Sequence, residues 1–407
     1  MKYRIDNKSK NKLSILGYGC MRFPKRRGKF DPVETEKLVL HAIEQGINYF
    51  DTAYIYGDSE KVFGSIIKKH ELRNKIFLAT KMPLLLIKNK TDFDKYFNKQ
   101  LKRLQTDYID YYLMHMITTI EQWEKMCALG IEKWIKEKQK QGKIKQIGFS
   151  FHGSQTDFMK IIDAYNWDFC LIQYNYMNEN YQAGKAGMIK AYKKGMTVMI
   201  MEPLLGGRLA VNLPKKIIEE FKKADDNLTP AAWALNWLWN QKEITLLLSG
   251  MSNMDQLEKN IETASNAQIN MLKKQEKETI TKVIQMFRES YKITCTGCNY
   301  CMPCPKSINI PAVFSSYNTY YVIGKIEGLK QYFMSTAVTS GKNVSVKNCI
   351  QCGICEKACP QNIKIIKELK RCQKKIEPWW LRVPLKLVRN HFSKKARISG
   401  EEKTNVQ

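Results

Sequence analysis

The chain has 407 residues, too many for one small core and enough for two or three compact units. Hydrophobic residues make up 44%, and no charge-free apolar run reaches the roughly eighteen residues needed to cross a bilayer, which argues against a membrane-spanning class. The formal net charge is +28, but the lysines are scattered through stretches such as IEKWIKEKQKQGK among glutamates, the pattern of a solvated basic surface rather than of a nucleic-acid interface.

The N-terminal MKYRIDNKSKNK is polar and has no apolar signal core, so the expectation is a cytoplasmic protein. From there the chain alternates short apolar runs with longer helix-period segments. Strand candidates are LSILGYG, INYFDTA, IFLATKMP, YIDYYLMHM, IKQIGFS, FCLIQYN, MTVMIMEP and ITLLLSG. Among the amphipathic stretches between them, TEKLVLHAIEQG sets Leu38, His41, Ala42 and Gln45 at helical spacing and stops at Gly46. Eight strands, each followed by a helix, predict an α/β fold of the closed (β/α)8 TIM-barrel type over residues 1–268.

A charged helical linker is expected over 269–293, then a small, mainly helical cysteine domain over 294–372. Its two motifs are separated by the aromatic, helix-like segment IPAVFSSYNTYYVIGKIEGLKQYFM. A basic tail over 373–407 contains PWWLRVPLKLVRNHFSKKAR. It could lie on an anionic membrane surface, but Pro384 breaks any long helix, and packing on its own domain is the stronger expectation.

Active residues of such barrels sit at the C-terminal ends of the strands, where four candidates fall. Asp51 ends INYFD, Tyr56 follows in DTAYIYG, Lys81 ends IFLATK and His115 ends YIDYYLMH. Each alone has a structural explanation, such as a buried ring with a hydrogen-bonded tip or a Lys81–Asp51 ion pair. All four types on three consecutive strands at one face point to catalysis.

With Gly148-Phe149-Ser150, Gln173-Tyr174-Asn175-Tyr176, Glu202-Pro203-Leu204-Leu205-Gly206-Gly207 and Ser249-Gly250-Met251-Ser252-Asn253, these residues make the barrel resemble the aldo/keto reductase family. The resemblance implies hydride transfer between a nicotinamide cofactor, NADP or NAD with the family leaning to NADP, and a small carbonyl or alcohol. Tyr56 would be the general acid, Lys81 would lower its pKa, Asp51 would hold Lys81 charged, and His115 would position the substrate oxygen. By the same resemblance Ser150 and Gln173 would hold the cofactor's carboxamide and Tyr176 would stack on its ring. Gly206, Gly207, Ser249, Gly250, Ser252, Asn253, Gln256 and Asn260 would line the remainder of the cofactor site. The family usually has Asn directly after the serine; this chain has Phe151. No arginine stands in 249–256 to grip a 2′-phosphate, and substrate specificity is expected from loops such as 117–129.

Of twelve cysteines, eight crowd into two groups: Cys295, Cys298, Cys301 and Cys304-Pro305, then Cys349, Cys352, Cys355 and Cys359-Pro360. The second follows the bacterial ferredoxin spacing for a 4Fe–4S site, and the first is one residue shorter before its last cysteine. Zinc is the competing reading, but zinc ribbons use two well-separated pairs per ion, whereas four cysteines here fall within ten or eleven residues. The domain resembles two-cluster ferredoxins, and that pattern implies crossed ligand sets for two 4Fe–4S clusters: Cys295, Cys298, Cys301 with Cys359, and Cys349, Cys352, Cys355 with Cys304. Cys20, Cys127, Cys170 and Cys372 are expected as small packing residues.

The implied function is an oxidoreductase; the alternative is a non-enzymatic electron carrier or redox sensor using the barrel as a scaffold. Nicotinamide gives two electrons together and each cluster takes one, and no flavin motif is evident. The expectation is therefore that the clusters either exchange electrons with a separate ferredoxin, flavodoxin or flavoprotein, or serve chiefly to hold and sense the C-terminal domain.

Overall fold

The computed structural model describes residues 1–211, 213–295, 297, 301–333, 336, 345–359 and 361–377. Its contacts divide it into one unit of Met1–Val211 with Ala224–Ile280 and another of Asn212–Lys223 with the chain from Thr281 onward.

The first unit is a closed barrel of eight parallel strands. These are β1 (Leu16–Gly19), β2 (Tyr49–Asp51), β3 (Phe77–Met82), β4 (Ile109–Ile117), β5 (Ile144–Phe151), β6 (Phe169–Gln173), β7 (Thr197–Met201) and β8 (Leu246–Ser249), each pairing with the next, and β8 with β1. Helices return the chain from the strands: α1 (Pro32–Glu44), α2 (Ser59–Lys69), α3 (Thr91–Leu104), α4 (Ile120–Ala128), α5 (Ile131–Lys140), α6 (Gln155–Ala164) and α7 (Gly184–Lys193), then, after α8 (Lys215–Ala224), which falls with the second unit up to Lys223, α9 (Pro230–Trp239) and α10 (Met254–Asn266). The predicted eight strands and barrel closure are all present. Two apolar layers follow from that closure. Tyr49, Ala79, Tyr111, Leu113, Phe169, Leu171, Met199 and Leu246 fill the bore, and a larger set packs between strands and helices.

The structure splits the predicted strand LSILGYG. Lys12–Ser14 pairs antiparallel with Tyr3–Ile5, and only Leu16–Gly19 joins the barrel. Ser14 makes the break, its Oγ donating to the carbonyl of Leu16 while its N–H donates to Asn48 Oδ1. The expected specificity loop 117–129 is mostly helix α4.

The charged helical linker expected over 269–293 begins later, as α11 (Lys274–Ser290). The N–H groups of Asn270 and Leu272 donate instead to the carbonyl and side chain of Asn240, which holds that stretch non-helical. In the second unit the aromatic segment forms α12 (Ile310–Val322) and α13 (Lys325–Phe333), broken at Gly324 with φ +152°. After the one-turn α14 (Ile354–Lys357), α15 (Ile365–Ile376) runs past residue 372, because Ile365, Leu369, Cys372 and Ile376 share its buried face. These residues pack with Ile293, Val313, Phe314, Tyr317 and Val346 in a core against which six of the motif cysteines lie. Cys298 and the tail from 378, including the segment considered for membrane contact, lie outside the described residues. No helix among the described residues is long and apolar enough to cross a membrane.

Candidate active site and cysteine centre

Asp51, Lys81 and His115 reach the C-terminal mouth of the barrel on β2, β3 and β4, and Tyr56 comes from the turn before α2. The Lys81 ammonium is buried, donates to Asp51 Oδ1, and donates to the carbonyl of Thr52 at 2.7 Å. It stands 5.1 Å from the centre of the Tyr56 ring, within hydrogen-bonding reach of the hydroxyl. The rings of Tyr56 and His115 meet edge to face with centroids 5.9 Å apart. The four residues predicted from strand ends form one cluster.

Electrostatics gives each a definite state. Burial opposes charge on Lys81, but Asp51, with Tyr56, outweighs it, and the lysine pKa moves up. Burial raises the Asp51 carboxyl, with Lys81 opposing. Burial also raises Tyr56; Lys81 pulls the other way without prevailing. The sequence argument that the ammonium lowers the phenol's pKa thus names a real contribution, but desolvation exceeds it. His115 is pushed well below the ordinary histidine value by burial, then by Lys81 and His152.

A β-bulge aims His115. Between Met114, opposite Phe149, and Ile117, opposite Phe151, two residues face the single Ser150. Met116 takes a left-handed conformation, φ +58°, and donates its N–H to Ser150 Oγ at 2.9 Å. Ser150 accepts there, and among the described residues its hydroxyl donates to no other group.

Behind the cluster lies a buried polar network. Gln100 Nε2 donates to Glu60 Oε1, Thr80 Oγ1 and the Lys81 carbonyl at 2.9–3.0 Å, and Gln100 Oε1 accepts from Tyr112. Arg103 donates to Glu60 Oε2 at 3.1 Å and to the Tyr54 carbonyl at 3.2 Å. One network therefore grips the strand end that holds Lys81 and the turn that holds Tyr56. Ser59 extends that grip, bonding Thr52 Oγ1 and the Cys20 carbonyl at 3.0 Å.

Gln173, 2% exposed, has neither amide atom hydrogen-bonded among the described residues, a costly state unless a ligand completes it. Tyr176 is buried with its ring edge to face against Trp237. Gly206 and Gly207 have φ of +70° and +96°, which only glycine adopts cheaply. Asn253 caps α10 through Gln256 N–H, and Gln256 Oε1 accepts in return from the N–H and hydroxyl of Ser252. Asn260 Nδ2 donates to Ser249 Oγ at 3.1 Å. These side chains brace the turn around Gly250.

Three residues at this face escaped the sequence argument. Arg22 lies flat on Gly250, where a Cβ would meet its Cβ at 2.8 Å, and its Nη2 is 3.4 Å from the Cβ position of Gly206. The absence of an arginine from 249–256 is thus offset by one from the loop after β1, distant in sequence and adjacent in space. It also follows a strand end, so the rule that found Lys81 could have found it. His152, whose pKa burial lowers, and Trp237 carried no comparable signal.

In the second unit, Cys301, Cys304, Cys349, Cys352 and Cys355 line one cavity together with Pro303, Pro305, Ile366 and Leu369. Asn318 fixes the entry to the first motif, accepting from the N–H groups of Lys292 and Ile293 at 3.0 Å and donating to the Ile293 carbonyl. Among the described residues no three His, Cys, Asp or Glu side chains stand at the spacing of one metal ion's donors. Of the isolated cysteines, Cys20, Cys170 and Cys372 are buried and Cys127 is half-buried.

Residues 294–364 match the 4Fe-4S dicluster domain. Aldo-keto reductase str7 of Strobilurus tenacellus is 26% identical over 293 residues, covering 62% of this chain and 84% of that protein. Aldo-keto reductase YhdN of Bacillus subtilis is 32% identical over 145 residues, 33% of this chain and 42% of its own length. In fold, the holo form of aldo-keto reductase AKR11C1 from Bacillus halodurans matches with a TM-score of 0.57 at 24% identity, covering 70% of this chain and 96% of that one. Residues 15–284, from the first barrel strand into α11, match the Aldo/keto reductase family, and to that family this chain belongs.

Proposed function

We propose that the barrel reduces a small carbonyl compound, or oxidises the corresponding alcohol, with a nicotinamide cofactor. The observation that carries this is the junction of an ammonium-backed phenol with a buried, unpartnered amide at one mouth: Lys81 beside Tyr56, and Gln173. The amide of Gln173 offers both a donor and an acceptor, which fits a carboxamide, and the free proton of Ser150 fits that group's carbonyl oxygen. Tyr176 would flank the ring, and Arg22 with Gly206, Gly207 and the α10 N-terminus would meet the phosphates.

When bound, the nicotinamide supplies hydride to the carbonyl carbon. The chain supplies the rest. His115, neutral, donates a hydrogen bond that fixes the carbonyl oxygen. Tyr56 keeps its proton in the resting site and delivers it as negative charge grows on that oxygen. Lys81 stabilises the phenolate left behind, and Asp51 with the Thr52 carbonyl keeps the ammonium aimed. Anaerobic protein should bind NADPH or NADH and turn over part of a panel of aldehydes and ketones. Nicotinamide binding too weak to saturate at millimolar concentration would overturn the assignment.

For the second unit the proposal is two 4Fe–4S clusters with crossed ligands. Cys304 lines one cavity with Cys349, Cys352 and Cys355, as the second set requires, and Cys301 of the first set lines the same cavity; the first set also includes Cys298, which lies outside the described residues. Such clusters would exchange single electrons with a separate protein and not directly with nicotinamide, so neither nucleotide alone should bleach their visible absorption in flavin-free protein. Cys304→Ser should damage the cluster held by the second motif, and damage confined to the first would refute the crossing.

A further inference from the structure

The second motif turns one cysteine outward. Gln351 and Gly353 both take left-handed backbone, φ +56° and +76°, on either side of Cys352. The thiol residue between them is exposed, whereas every other described motif cysteine is partly covered. Ile350 and Ile354 flank it, 57% and 56% exposed. Apolar side chains this open, placed side by side around a redox ligand, leave a small uncovered patch at one edge of the unit.

Its rim is cationic. Between residues 347 and 377 the chain carries eight Lys or Arg against three Glu. All eight basic side chains are exposed, and the three carboxylates are already engaged. Glu356 accepts from the N–H of Ile366 at 2.8 Å, Glu368 pairs with Arg371, and Glu377 is buried, accepting from Tyr332 and Ser345. Lys370 is fixed beside the exposed cysteine, donating to Gln351 at 2.7 Å. Lys347 stands two residues before the first cysteine of the motif, and Lys357 closes the one-turn helix that starts at Ile354.

We propose that this edge is the docking surface for an acidic one-electron carrier protein. The inference rests on the reading that the second motif holds an iron–sulfur cluster. Long-range attraction between the lysine rim and a carboxylate-rich partner would raise the encounter rate, and Ile350 and Ile354 would supply the short-lived dry contact around Cys352. Per encounter the carrier loses one electron and the cluster gains it, or the reverse, with no bond made or broken. The carrier is therefore the co-reactant that links a single-electron centre to the cell's reducing supply.

The test uses the full chain, anaerobic, with iron and sulfide measured first, and a small acidic flavodoxin as the probe. Reduced flavodoxin should bleach the cluster absorption with a second-order rate that falls as salt rises. The triple variant Lys347→Glu, Lys357→Glu, Lys370→Glu should lose about tenfold or more of that rate at low salt. Its reduction by a neutral photoreduced deazaflavin should be unchanged, which excludes a damaged cluster. Calorimetry of the two oxidised proteins should show the same loss in binding. With iron intact, equal rates for wild type and variant would overturn the surface. So would binding to vesicles containing phosphatidylserine, or to RNA, in preference to the carrier, and so would a chain dimer dispersed by Ile354→Glu. An iron-free chain that still bound flavodoxin through these lysines would sink the cluster reading and leave the surface standing.

Discussion

Burial, with Lys81 and His152, pushes the His115 pKa well below the ordinary value, so in the proposed site the imidazole would serve at neutral pH as a hydrogen-bond donor rather than a cation. Because its folded pKa is depressed, the unfolded chain takes the proton first, and stability falls as pH drops below about 6.5, the free histidine value. Proton NMR of the His115 ring should show no titration near that value, and a midpoint there would contradict the buried, neutral state. Tyr56→Phe should cost about 100- to 10,000-fold in carbonyl reduction while nucleotide titration stays nearly unchanged. Equal turnover in the variant would remove Tyr56 as the acid. At this scale the sequence revealed residue types at strand ends, which is why Asp51, Tyr56, Lys81 and His115 were found. It did not reveal the balance of burial against charge on Tyr56, since that depends on how much protein closes over the ring. Nor did it reveal Arg22, which reaches Gly250 only through barrel closure.

Elements meet here at places where a side chain would not fit. Gly64 sits in the middle of α2, and a Cβ there would lie 2.3 Å from the carbonyl oxygen of Arg103 and 2.7 Å from the Leu104 backbone, at the end of α3. Alanine would gain up to about 1 kcal/mol in helix propensity, but overpacking against backbone costs about 1–3 kcal/mol or more, so packing wins. Gly64→Ala should lower the urea midpoint and, by tilting α2 away from Arg103, weaken the grip on the Tyr56 turn. A raised midpoint would show that the helices part freely. Hydrophobic periodicity was enough to place the eight strands and most helices. It overran where distant partners intervened: Asn240 holds back the start of α11, and Ser14 splits the first strand, both through hydrogen bonds to groups that no local pattern contains.

The two units differ in what keeps them folded. The barrel has a large apolar interior, whereas the described core of the cysteine unit is small and its motif cysteines form part of the wall. Units of that kind commonly depend on metal, and the binding free energy of the clusters is then folding free energy. Anaerobic protein should contain about eight iron and eight sulfide per chain if two four-iron clusters are present. Oxidative loss of iron followed by chelation should then abolish a separate melting transition while the barrel's remains. A single unchanged transition would mean that the cysteine unit stands without metal.

The packed bore of the barrel has a consequence for traffic. At its N-terminal end Tyr111 donates to Asp6 at 2.8 Å and receives Ser9 and Asn11 around its hydroxyl, while Arg4 ties the N-terminal hairpin strand Tyr3–Ile5 to the carbonyls of Trp239, Gln241 and Ile244. Above that floor, Tyr49, Leu113, Phe169 and Met199 pack together and fill the bore. With the bore filled from below, substrate and product of the proposed reaction would both pass the C-terminal mouth to reach and to leave Lys81. A product lingering at that mouth would then exclude the next molecule, which would make waste and feedstock rivals for the same opening.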